Sequence, residues 1–137
     1  MKNIEHIEHI GIAVKDLSIA NSVYSKLLGV PPYKQEHVIS ESVQTSFFQI
    51  GESKIELLAS TSPSSAIAKF IEKRGEGMHH IAFAVNDLDS EIIRLKEEGF
   101  TFVSETPKVG ADNKRIVFVQ PKDCSGVLIE LCEEIVF

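Results

Sequence analysis

Four residues of this 137-residue chain form two matched pairs. His9 opens the run His9-Ile10-Gly11-Ile12-Ala13-Val14-Lys15-Asp16-Leu17, and His80 opens His80-Ile81-Ala82-Phe83-Ala84-Val85-Asn86-Asp87-Leu88. Glu56 lies in Ile55-Glu56-Leu57-Leu58, and Glu130 in Ile129-Glu130-Leu131-Cys132. The histidines are 71 positions apart and the glutamates 74. One imidazole and one carboxylate from each half make two nitrogen and two oxygen donors. That set suits a single borderline divalent cation. A merely solvated sheet face has no reason to match His with His and Glu with Glu. The four are therefore read as metal ligands.

The elements that must carry them follow from periodicity. Residues 7–14 alternate, with Ile10, Ile12 and Val14 on one face and His9, Gly11 and Ala13 on the other, as in a strand. Asp16 or Ser18 caps a helix whose apolar positions are Leu17, Ala20, Val23, Tyr24, Leu27 and Leu28. Gly29 and Pro31-Pro32 end it. Strands are predicted over 35–40, 43–50 and 53–59. A short helix follows, opened by Ser62-Pro63, with Ile67, Phe70 and Ile71 inward and Gly75 at its end. The second half repeats this plan: a strand over 78–86, then a helix over 87–98 with Leu88, Ile92, Ile93 and Leu95 inward. Strands near 101–104, 115–120 and 126–133 complete it, with a loop from Pro107 to Asn113. Each half is β-α-β-β-β.

Strand parity places His9, Glu56, His80 and Glu130 on one face and the large apolar residues on the other, toward the helices. Gly11, Ala13, Ala82 and Ala84 lie near the four, so a concave surface open to a ligand is expected. His79 should point to the helix side as a buried, hydrogen-bonded residue. His6 and His37 belong to the surface. Cys132 shares the Glu130 face.

Size and composition bound the rest. The length is that of one domain, residues 1–137, whose modules (about 6–60 and 77–134) are small for independent cores and should share a core or a sheet. A short helical segment joins them. The net charge of −6 gives no general attraction for nucleic acid. No apolar run is long enough to span a membrane, and no signal-peptide core opens the chain. Two cysteines make no disulfide framework. A cytoplasmic protein is expected. Two basic windows, Lys69, Lys73 and Arg74, then Lys108, Lys114, Arg115 and Lys122, leave room for a local anion site.

The repeated halves with His and Glu at these strand positions resemble the vicinal oxygen chelate superfamily of glyoxalases, bleomycin resistance proteins and dioxygenases. The resemblance covers essentially the whole chain. Within it, three stretches are similar to methylmalonyl-CoA epimerases: 54–58, 66–83 and 121–131. The middle one, with Phe70-Ile71-Glu72-Lys73-Arg74-Gly75-Glu76-Gly77-Met78-His79-His80, is the most specific. The resemblance implies an α+β fold in which two tandem βαβββ modules form an open, barrel-like eight-stranded mixed sheet around one metal. It implies His9, Glu56, His80 and Glu130 as ligands of one divalent ion, with cobalt expected ahead of zinc, nickel, manganese or magnesium. It implies a homodimer and a small acyl-CoA substrate, with no nucleic-acid or membrane partner.

The implied reaction interconverts (2R)- and (2S)-methylmalonyl-CoA. A proton leaves C2 and another returns, through an enolate stabilised by the metal. Glu130 is the expected catalytic acid/base. Inversion is simplest with a second such group on the opposite side. In some relatives that group is a Glu on the strand matching 43–50, near Thr45, where this chain has none. Glu41 is the nearest carboxylate and reads as a solvated loop residue. A water or another metal-bound group is the substitute. The alternative activity is a glyoxalase I-type lactoylglutathione lyase, which would use the same ligands. A non-catalytic binding module is a third reading, disfavoured by the complete ligand set.

Overall fold

Asp16 and Asp87, near the ends of the two matched runs, do the same local work. Asp16 accepts the Ile19 N–H at 3.0 Å and starts helix α1 (Leu17–Leu28). Asp87 accepts the Ser90 N–H at 3.2 Å and starts helix α3 (Leu88–Glu97). Each satisfies a donor that the first helical turn cannot satisfy itself. Between them Ser65 caps helix α2 (Ala66–Arg74) by accepting the Ala68 N–H at 3.0 Å. Gly29 closes α1 in the left-handed region (φ 76°), where a side chain would be strained.

The computed structural model describes residues 3–104 and 106–136. Its strands are β1 (Ile4–Ala13), β2 (Lys34–Val38), β3 (Val43–Ile50), β4 (Ser53–Ser60), β5 (Gly77–Val85), β6 (Lys108–Val109), β7 (Lys114–Val119) and β8 (Ile129–Glu134). Among the described residues, eight strands in mixed pairing, with three helices, make the expected α+β fold. Residue contacts group the chain into two compact units. One is His9–His79. The other is the chain from His80 onward together with the segment ending at Glu8.

In the His9–His79 unit the strand order is β2-β3-β4-β1. Strand β1 pairs parallel with β4, putting Gly11 opposite Glu56. β3 pairs antiparallel with β4, putting Phe47 opposite Glu56. The helix-side core holds Val14, Ala20, Phe48, Leu57 and Ala59, with Leu17, Tyr24 and Leu28 of α1 against it. The unit beginning at His80 has the order β5-β8-β7-β6. β5 pairs parallel with β8, putting Ala82 opposite Glu130, and β7 pairs antiparallel with β8, putting Phe118 opposite Glu130. Its core is Val85, Leu88, Ile92, Phe102, Val117, Val119 and Leu131.

Several expectations need correction. The stretch 101–104 is not a strand: only Phe102 bridges to Val119, and its side chain fills the core. The expected loop 107–113 contains the two-residue strand β6 and a 3-10 turn, Ala111–Asn113. β2 ends at Val38, and Ile39–Glu41 form another 3-10 turn, after which Ser42 is left-handed (φ 53°). The helix stripes are narrower than drawn. Val23 and Leu27 are 53% and 70% exposed, and Ile93 is 60% exposed. Glu91 instead is buried on α3 and takes a two-pronged bond from Arg94, 2.9 and 3.0 Å. A helix on a sheet buries about one residue per turn and its near neighbours, so the flanks of a wide apolar arc stay in water.

Candidate metal centre

His9 stands on β1, two residues before Gly11, and Gly11 lies beside Glu56 in the parallel ladder. Parity turns both side chains to the face opposite the α1-packed core. His9 Nε2 and Glu56 Oε1 are 3.3 Å apart, and the residues are only 6% and 3% exposed. The second unit reproduces this pair. His80 Nε2 and Glu130 Oε1 are also 3.3 Å apart, with exposures of 4% and 5%. The repeat seen in sequence is therefore a repeat in geometry.

A buried imidazole nitrogen beside a carboxylate oxygen calls for a proton or a cation between them. Two donors at about 2.1 Å from one ion lie about 3.0 Å apart at octahedral angles and about 3.4 Å at tetrahedral ones. A separation of 3.3 Å falls in that interval for both pairs. The donor types and their spacing fit a divalent cation.

The faces around the pairs are less open than expected. Phe47 is 1% and Leu58 7% exposed, and both share the Glu56 face, as does Thr45. In the other unit Ala82, Ile116 and Cys132 form a small buried cluster on the Glu130 face, with Phe118 packed on it. The Cys132 thiol donates to the Phe83 carbonyl at 3.5 Å. Small residues do lie next to the histidines, but an aromatic ring faces each glutamate across the ladder. Sequence reasoning missed these two rings, although a signal was present. Phe47 and Phe118 are 71 positions apart, like the histidines, and so are Gln49 and Gln120. The turn from Pro121 to Gly126 is longer than Gly51-Glu52, which accounts for the glutamate spacing of 74.

His79 lies on the helix side, as parity required. Its half-buried ring meets Phe70 of α2 edge to face, with centroids 4.9 Å apart. Burial lowers its pKa from 6.5 to about 4, against an opposing pull from the Glu41 carboxylate. Glu41 is thus no freely solvated loop residue. It is half-buried in its 3-10 turn and interacts electrostatically with His79. Thr45 is fully buried, and its hydroxyl donates to the Glu36 carbonyl at 3.4 Å, so it supplies no acid/base group. His37 is exposed and His6 half-buried.

The two arginines of the basic windows are engaged within the fold. Arg115 donates to Asp89 at 2.8 Å and lies 3.5 Å from Glu133, on the face away from Glu130. Arg74 lies over the Phe70 ring at 5.8 Å. Among the described residues, no helix is long and apolar enough to cross a membrane.

Known proteins are similar to this chain in sequence and architecture. The pattern of the glyoxalase/bleomycin resistance protein/dioxygenase superfamily matches residues 8–118. The uncharacterized protein YqjC of Bacillus subtilis is 38% identical over 130 residues, spanning 95% of this chain and 93% of its own. Human mitochondrial methylmalonyl-CoA epimerase is 36% identical over 130 residues, 94% of this chain and 74% of its own. Among solved structures, methylmalonyl-CoA epimerase from Mycobacterium tuberculosis aligns with a TM-score of 0.94 at 37% identity, covering 99% of this chain and 92% of that one. A methylmalonyl-CoA epimerase in complex with methylmalonyl-CoA and NH4+ aligns with a TM-score of 0.93 at 34% identity, covering 97% and 96%.

Proposed function

Because the chain belongs to the glyoxalase/bleomycin resistance protein/dioxygenase superfamily, and within it to the methylmalonyl-CoA epimerase family, we propose that it interconverts (2R)- and (2S)-methylmalonyl-CoA. The observation that carries this reading is the twin His–Glu pair, 3.3 Å in each unit. His9, Glu56, His80 and Glu130 would hold one divalent ion, with cobalt the first candidate and zinc, nickel, manganese or magnesium as others. Bound there, the ion supplies Lewis-acid stabilisation of the negative charge that develops on the thioester and carboxylate oxygens.

Proton removal belongs to the chain itself. Glu130 takes the C2 proton from one side, and its burial keeps competing water away. Return of a proton on the other side falls to a water, because Thr45 holds no acid/base group and Glu41 interacts with His79 on the helix side. A single domain of two modules, a homodimer and a cytoplasmic location belong to the same reading. The two free thiols suit such a compartment.

The test is exchange of the C2 proton of methylmalonyl-CoA in D2O, with metal-free and metal-reloaded protein. Exchange and interconversion of the 2R and 2S thioesters, both dependent on metal, are expected. Turnover of methylglyoxal with glutathione, and none of the acyl-CoA, would replace this reading with a lyase.

A further inference from the structure

The geometry points to Phe118 as a positioning residue that fixes the His80 imidazole for its role beside Glu130. The inference rests on the metal-site reading above. Phe118 lies directly opposite Glu130 in the β7–β8 ladder. Its ring meets His80 at a centroid distance of 5.9 Å and an interplanar angle of 89°. A perpendicular aromatic contact at that distance is attractive and directional. His80 is 4% exposed, so few other orientations are open to it, and the Phe118 contact selects among them.

The repeat sets off what is particular to this ring. Phe47 occupies the equivalent place opposite Glu56. It is 1% exposed and packs against Tyr33, with centroids 6.1 Å apart. Phe118 is only half-buried, with its ring against His80 as well as on the Ala82, Ile116 and Cys132 cluster. Groups that orient a metal ligand commonly change affinity by about tenfold to a hundredfold when lost.

The test compares Phe118→Leu, Phe118→Tyr and Val117→Ala. Val117 is buried on the opposite face, in the helix-side core, so its truncation destabilises the fold without touching His80. Cobalt affinity is measured by competition with a chelator. The tautomer of His80 is read from imidazole 15N resonances of the metal-free protein. Phe118→Leu is expected to weaken cobalt binding about tenfold and to turn one His80 tautomer into a mixture. Phe118→Tyr and Val117→Ala should bind as the wild type does. Wild-type affinity and a single tautomer in Phe118→Leu would overturn the inference, as would an equal loss in Val117→Ala. A wild-type protein that binds no divalent cation would overturn the metal reading instead. The tautomer comparison would still decide whether Phe118 orients His80.

Discussion

In metal-free protein, acidification from about pH 7 to about pH 4 should cost stability through His79. Its ring is packed on Phe70, and burial holds its pKa near 4, below the ordinary 6.5. The unfolded chain takes up a proton that the folded chain refuses. Stability is therefore full above 6.5, falls as the pH drops from there toward 4, and loses nothing further below that through this residue. The interval between 6.5 and 4 sets a ceiling of about 3 kcal/mol. The ring retains some contact with water, so about 1–2 kcal/mol is expected. The perturbation that isolates it is His79→Phe, which keeps an aromatic ring beside Phe70 and cannot titrate. Urea unfolding in the presence of chelator, at several pH values, gives both stability curves. The wild type should lose about 1–2 kcal/mol more than His79→Phe over this range. Parallel curves would refute the argument, because the buried imidazole would then carry no special proton linkage.

Other consequences are simpler to state. Glu130→Gln should lower the C2 exchange rate by about a hundredfold or more, while circular dichroism shows an unchanged fold. Leu57→Ala removes a side chain with no exposed area and should cost about 2–5 kcal/mol in chemical unfolding. Ser65→Ala removes the α2 cap and should cost about 1 kcal/mol, with proteolysis near residue 65 as a second readout. Saturation with the preferred cation at about a hundred times its dissociation constant should stabilise the protein by about 2.7 kcal/mol, and excess chelator should abolish that increment in a thermal melt.

Much of the site was readable from residue order because strand parity leaves little freedom. Once His9 and Ile10 alternate on a strand, a histidine that shares a face with Gly11 and Ala13 cannot also join the core of Val14 and Leu57. The starts of α1 and α3 were equally legible, since Asp16 and Asp87 act within three residues of themselves, whereas α2 is capped by Ser65, three residues beyond the expected opening at Ser62-Pro63. What was missed depends on distant partners. Phe102 sits in a stretch that alternates too briefly to distinguish a strand from a single bridge, and only Val119 decides it. Ile93 fits an apolar arc, yet its exposure depends on how α3 lies on the sheet. Glu41 looked solvated because nothing nearby in sequence encloses it. His79, which interacts with it, is 38 residues later. The Phe47 and Phe118 repeat was present at the histidine spacing, but cross-strand register gives it meaning.

The division of β1 at Glu8 and His9 bears on how the molecule is made. Residues His9–His79 are continuous in the chain, and all of them are present once synthesis has passed residue 79. The other unit joins Ile4–Glu8 to residues synthesised more than seventy positions later. Its earliest strand segment must wait for its last, and the closing of that long loop adds an entropic delay. Stalling or truncation after about residue 80 would therefore release a chain that holds every residue of the first unit while its opening strand residues lack their partners.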